Sequence, residues 1–162
     1  MDLSKLSTGD KVIGVSGILL LIFSFFPWLG FSVGSFSASK SAWSFTLLWF
    51  AVIIGVALVV LVVLKATGTE LPKVGNITWN QIMSVAAIVV FGFILIKLIA
   101  GPGTGGVSLA GTGVSKDRKI GVFLGLAASI GLVVGSVMNL REAGEMPGKL
   151  GGAKGGDTPP AP

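Results

Sequence analysis

The sequence contains no cysteine, no histidine and no tyrosine. The first two absences exclude disulfides, thiolate nucleophiles, Cys/His zinc sites and histidine general bases from this chain. Charged residues are also scarce, at 12% of the 162 residues, whereas soluble domains carry about 25%. Because hydrophobic residues reach 52%, the composition indicates a membrane protein.

Acidic residues are few, and none falls inside a long apolar run. Proton-coupled carriers and intramembrane aspartyl proteases need carboxylates at membrane depth, so neither class is expected. Serines do occur in the apolar runs, but no histidine is present to activate them. Lys97 lies one turn from the end of its run, where its stem can extend to the interface. We therefore predict no enzyme activity, no cofactor and no metal site.

Four apolar runs have the length of a membrane-spanning helix, about twenty residues for a hydrocarbon core of roughly 30 Å. Their apolar residues are continuous and do not alternate, which favours helices over barrel strands. The predicted fold is an all-α, four-transmembrane-helix bundle over residues 1–143, followed by a disordered Gly/Pro-rich tail at 144–162. The predicted spans are 12–31, 45–64, 77–100 and 120–140.

The first run has an alternative interpretation as a cleaved signal peptide, because Lys5 and Lys11 precede it and small residues follow it. However, the run continues past Pro27 and Trp28 without a charge until Lys40. That length exceeds a usual signal core, so we expect an uncleaved span.

Basic residues flank the runs singly, which is typical of charges beside membrane spans and not of a nucleic-acid-binding stripe. With both termini in the cytoplasm, the outer side holds five basic residues, three of them clustered at 116–119, which opposes this orientation. The excess of basic residues on the inner side favours the orientation with both termini in the cytoplasm. The seven inner basic residues are Lys5, Lys11, Lys65, Lys73, Arg141, Lys149 and Lys154.

Tryptophans lie at the predicted ends of the runs, as in the aromatic belts that anchor helices among lipid headgroups. Trp28, Trp43 and Trp49 are expected near the outer interface, and Trp79 near the inner one. Asn80 and Gln81 open the third span, and their amides are expected to bond across helices.

Two outer loops have patterns that allow short strands on the membrane face. Residues 31–38 alternate around Gly34-Ser35, which favours a two-residue hairpin turn. Residues 103–115 place alternating apolar residues between glycines. A flexible glycine-rich connection is the equal alternative for both loops.

A stripe of small residues on the fourth span is the most specific signal in the chain. At 100° per residue its members share one helix face, and they include two GxxxG matches. Such stripes let helices approach closely in lipid. Packing inside the bundle is the first explanation, and association with a second copy or another protein is the second. The stripe comprises Gly121, Gly125, Ala128, Gly131, Gly135 and Asn139.

The chain resembles a group of uncharacterised four-span membrane proteins from actinobacteria. The resemblance rests on "KLSTGDKVI" at 5–13, "FSFFPW" at 23–28, "SAWSF" at 41–45 and "DRKIGVFLGLAASIGL" at 117–132. It implies a plasma-membrane location and a short cytoplasmic N-terminus, and it transfers no catalytic residue.

The sequence therefore favours a scaffold or accessory subunit that acts through helix–helix contacts. Its expected partners are membrane lipids and either a second copy of the chain or another envelope protein, with no nucleic acid. The alternative is a small pore or a transport protein for lipid or a neutral solute, since the polar lining that the spans offer is sparse and consists mainly of serines, Thr46, Asn80, Gln81 and Asn139.

Overall fold

The computed structural model describes residues 4, 6–33, 35–69, 71–72, 75, 77–100 and 115–145, with the backbone alone for Val33, Phe36 and 115–117. This part of the chain is mostly helical and contains four α-helices and a small sheet. The predicted tail from residue 146 onward lies outside the described residues. The helices are α1 (Thr8–Ser24), α2 (Thr46–Ala66), α3 (Trp79–Ala100) and α4 (Ile120–Glu142).

Three of these helices, α2, α3 and α4, are long and apolar enough to cross a membrane, as expected of a membrane protein. Their bounds lie within two residues of the predicted spans. The prediction for the first span is wrong in its extent, because α1 has 17 residues and ends at Ser24, not at residue 31.

The early end of α1 follows from Pro27. Proline has no N–H for a helical hydrogen bond, and it disfavours the helical conformation in the residue before it. The last two helical-type bonds run from the N–H groups of Phe25 and Phe26 to the carbonyls of Ile22 and Phe23. Beyond them the apolar residues continue as a strand, since an apolar run suits a buried strand as well as a helix.

That strand is the centre of an antiparallel three-stranded sheet. β1 (Pro27–Val33) lies between β2 (Phe36–Ser41) and β3 (Ser115–Arg118). Val33 pairs with Phe36, so two residues connect β1 and β2. Of the two alternatives for residues 31–38, the hairpin is therefore the one confirmed. The strand predicted at 103–115 lies outside the described residues except for Ser115, which begins β3.

The four helices form a bundle in which each contacts its neighbours in the order α1, α2, α3, α4 and back to α1. The outward surfaces carry large exposed apolar side chains such as Val15, Phe50, Val85 and Phe123, which suit contact with lipid. Apolar side chains fill the interior of the bundle. The fully buried ones include Ile13, Leu20, Leu58, Met83, Ile94 and Leu132.

The pairing of β3 with β1 is testable by disulfide formation, since the chain has no cysteine of its own. Ser32 and Ser115 are direct partners across the two strands. Because antiparallel partners have Cα atoms about 4.5–5.5 Å apart, the double variant Ser32→Cys/Ser115→Cys is expected to form an intramolecular disulfide under mild oxidation. The change in mobility on non-reducing gels measures it.

The matched control is Ser37→Cys/Ser115→Cys. Ser37 pairs with Ser32 from the other side of β1, so two strand spacings of about 4.8 Å separate it from β3. This variant is expected to stay reduced. Equal oxidation of both double variants would contradict the strand order.

Candidate functional site

The N-terminal part of the small-residue stripe on α4, at Gly121 and Gly125, packs against Trp28. A Cβ atom placed on Gly125 would lie 2.5 Å from Trp28 Cζ2, and one on Gly121 would lie 2.7 Å from the carbonyl oxygen of Pro27. Trp28 is 0% exposed, and its indole N–H donates to the carbonyl of Phe23 at 2.8 Å. The prediction that Trp28 anchors the protein among headgroups is therefore wrong, because the glycines create a slot that buries the ring.

The part of the stripe nearer the C-terminal end of α4, at Gly131 and Gly135, packs against α1. A Cβ on Gly135 would lie 2.8 Å from the carbonyl oxygen of Gly9 and equally close to Ile13 Cγ1. A Cβ on Gly131 would lie 3.0 Å from Ser16 Cβ. Ala128 is buried between the two parts. These contacts are those of intrachain packing, and a second copy could reach this face only by displacing α1.

The last member of the stripe, Asn139, belongs to a polar network at one end of the bundle. Its amide nitrogen donates to Asp10 Oδ1 at 2.7 Å, and its amide oxygen accepts from the Ser7 hydroxyl. Lys65 Nζ lies 3.0 Å from the same Asp10 oxygen. Asp10 is 4% exposed and the Lys65 side chain is 23% exposed, so the carboxylate of the pair is buried and the ammonium is partly hydrated.

Lys65 extends the network to the remaining helix, because its ammonium also donates to Asn80 Oδ1 at 3.0 Å. The network thus contains Asp10 from α1, Lys65 from α2, Asn80 from α3 and Asn139 from α4. Asp10 lies in the first turn of its helix and Lys65 in the last turn of its own, which are the ends where the helix dipole favours each charge. One set of hydrogen bonds therefore joins all four helices.

The prediction placed Asp10 and Lys65 in flanking loops and did not find this pair. A signal was present in "STGD" at 7–10, which has the form of a capping box. The Ser7 hydroxyl accepts from the Asp10 N–H at 3.0 Å, so the helix begins at Thr8, four residues before the predicted span. That earlier start brings Asp10 into the bundle.

An open cleft of about 780 Å³ lies beside the network. The ends of all four helices and the segment after α2 contribute to its walls, which combine two carboxylates, one ammonium, amides, hydroxyls and an indole. The lining residues are Ser7, Asp10, Lys65, Gly68, Thr69, Leu71, Trp79, Asn80, Asn139, Glu142 and Ala143.

At the opposite end of the bundle, Lys97 does not extend to the surface. It is 3% exposed, and its ammonium lies 4.6 Å from the centre of the Phe45 ring. The expectation that its stem extends to the interface is therefore wrong, because a cation–π contact holds the ammonium inside the protein. Nearby, Trp43 and Trp49 remain exposed, with the Trp43 indole donating to the Ser24 hydroxyl at 3.0 Å.

In the described part of the chain, no three side chains of His, Cys, Asp or Glu lie close enough to share a metal ion. Every buried side-chain nitrogen and oxygen atom in that part has a hydrogen-bond partner. The arrangement therefore provides packing, hydrogen bonding and an open polar cleft. No protein family, curated protein or solved structure matches the chain.

Proposed function

We propose that the chain is a scaffold or accessory subunit of the plasma membrane that acts through contacts and carries out no catalysis. The observation that supports this best is the network of Asp10, Lys65, Asn80 and Asn139, which joins all four helices at one end. At the other end, β1 follows α1 and pairs with β3, which precedes α4, and the buried Trp28 ring packs against α4. A bundle fixed at both ends suits a protein that presents a constant surface to a partner.

In this proposal α1 is the fourth crossing. Its 17 residues are at the lower limit of a spanning helix of about 17–25 residues. Exposed Val15, Ile18 and Ile22 supply a lipid-facing surface. Four crossings place both termini on the same side, and the distribution of basic residues favours the cytoplasm. The resemblance to four-span actinobacterial membrane proteins supports the same topology.

The surface that contacts a partner must differ from the small-residue stripe, since α1 and Trp28 already cover it. Two surfaces are available in the described part of the chain. One is the set of exposed apolar side chains on the helices, and the other is the outer edges of the sheet, on β2 and β3, each of which pairs with β1 alone among the described strands. A second copy or another envelope protein can use either one.

The experiment is cross-linking in intact cells followed by native mass spectrometry of the tagged protein. A stoichiometric complex, with itself or with another envelope protein, is the expected result. A tagged membrane protein of similar size and expression level is the control for random encounters. Recovery of the monomer alone, at cross-linker levels that capture a known complex, would contradict the proposal.

The same preparation tests the transport alternative. In the part of the chain that the structure describes, apolar side chains fill the space between the helices, and Leu58, Met83 and Leu132 among them are fully buried. We expect no flux of a neutral solute in proteoliposomes above that of empty vesicles. Flux that rises with the amount of protein would favour the pore or carrier and would count against the scaffold.

A further inference from the structure

The cleft beside the polar network lies where the spanning helices end. α2 ends at Ala66, α3 begins at Trp79 and α4 ends at Glu142. The cleft is therefore at the level of the lipid headgroups on that side of the membrane. Its volume of about 780 Å³ is within the range of roughly 300–1,000 Å³ that small-molecule sites occupy.

Among the described residues that line the cleft, one carboxylate has no basic partner. Asp10 and Lys65 neutralise each other at 3.0 Å, and the Lys65 ammonium also bonds to Asn80. Glu142 lines the cleft and is exposed, and among the described residues it has no basic group within 4.0 Å. The described residues of the lining thus supply two carboxylates and one ammonium, and this local excess of one negative charge favours a cation over an anion.

Trp79 adds a second element of cation recognition. Its indole N–H donates to the carbonyl of Pro72 at 2.9 Å, which fixes the half-buried ring at the wall of the cleft. The face of an indole attracts an ammonium more strongly than the face of any other aromatic side chain. Hydroxyls from Ser7 and Thr69 lie in the same lining.

An inorganic metal ion fits this lining poorly. Calcium takes about 6–8 oxygen ligands, whereas no three acidic side chains in the described residues come together. An organic ammonium needs only one carboxylate and an aromatic face. We propose that the cleft binds an organic ammonium group, with the Glu142 carboxylate and the Trp79 ring as its main contacts. The ammonium can belong to a lipid headgroup or to a free amine.

The test uses the full chain in nanodiscs of phosphatidylglycerol, titrated by calorimetry with choline and with ethanolamine. In a second arm, nanodiscs contain phosphatidylethanolamine as well, and native mass spectrometry measures the lipid retained by the protein. We expect Glu142→Gln to weaken ammonium binding about tenfold, since a charge-assisted contact is lost. Trp79→Leu is expected to weaken it several-fold.

The control variant is Asp117→Asn, which makes the same change in net charge in β3, at the other end of the bundle. Its binding is expected to match that of the unmodified protein. Glu142→Asp keeps the charge and is expected to retain most of the affinity. Because Glu142 is exposed, its variants are expected to keep the thermal unfolding temperature of the unmodified protein.

Binding of the free amines identifies a soluble ligand, and selective retention of phosphatidylethanolamine identifies a headgroup. Either result supports the proposal if Glu142→Gln weakens the binding of the amine or the retention of the lipid. Three results would overturn it: no binding in either arm, binding that Glu142→Gln leaves unchanged, or tighter binding of inorganic phosphate titrated into the same nanodiscs by calorimetry. These outcomes do not depend on a protein partner, so the ligand site and the scaffold function can fail separately.

Discussion

Replacing Gly125 with alanine is expected to destabilise the protein by about 1–3 kcal/mol, the usual effect of an overpacked core. The added Cβ would lie 2.5 Å from Trp28 Cζ2, and the ring is fully buried, so it cannot move without displacing β1 or α4. The measurement is thermal or denaturant unfolding in detergent followed by circular dichroism. The same variant tests whether the glycine is required for packing inside one chain.

Gly92→Ala on α3 is the matched control. A Cβ at Gly92 meets no atom within 4 Å, so only the helix propensity changes. Alanine is better than glycine in a helix by about 1 kcal/mol, and this variant is expected to be neutral or stabilised. Equal effects at Gly125 and Gly92 would show that Trp28 does not occupy the slot. Leucine is smaller than tryptophan and fills less of the slot. Gly125→Ala is therefore expected to lower the stability less in the Trp28→Leu variant than in the unmodified protein.

Replacing Asp10 with alanine is expected to destabilise the bundle by about 2–4 kcal/mol. Removing one partner of a buried ion pair leaves the other uncompensated, which typically costs about 3–5 kcal/mol. The Lys65 side chain is 23% exposed, and this partial hydration reduces the expected loss. Asn139 also loses the acceptor of its amide N–H.

A double-mutant cycle separates the pair from other effects. Lys65→Met removes the charge and keeps the apolar stem, and the double variant Asp10→Ala/Lys65→Met is expected to be no less stable than Asp10→Ala alone. The coupling energy from such a cycle is expected to be about 1–3 kcal/mol. Arg141→Gln, at an exposed position one residue from the end of α4, controls for the loss of a positive charge. Additive effects of Asp10 and Lys65 would contradict the ion pair.

Much of the helical structure could be predicted because lipid permits few alternatives. A continuous apolar run of about twenty residues must satisfy its own backbone hydrogen bonds, so α2, α3 and α4 follow from hydropathy alone. The hairpin was also accessible, because Gly34-Ser35 lies between alternating residues. Where an apolar run changes from helix to strand, hydropathy is uninformative. Pro27 was the only local indication of the end of α1.

The candidate site was harder to predict because it depends on contacts between distant residues. Asp10 and Lys65 are 55 positions apart, and nothing in the sequence pairs them. The glycine stripe on α4 was visible, but its partner was not. Trp28 looked like an interface residue because it follows an apolar run, and only the turn at Pro27 directs its ring back onto Gly121 and Gly125. Side chains that return across a turn leave no periodic signal.

The central claim is that α1 and Trp28 of the same chain cover the small-residue stripe of α4, which leaves other surfaces for a partner. The most direct measurement is disulfide formation between Ser16→Cys on α1 and Gly131→Cys on α4, since a Cβ atom placed on Gly131 would lie 3.0 Å from Ser16 Cβ. When one chain carries both substitutions, we predict an intramolecular disulfide at the mobility of a monomer. When two differently tagged chains carry one substitution each, we predict no cross-link in membranes. A covalent dimer from the mixed chains would contradict the account.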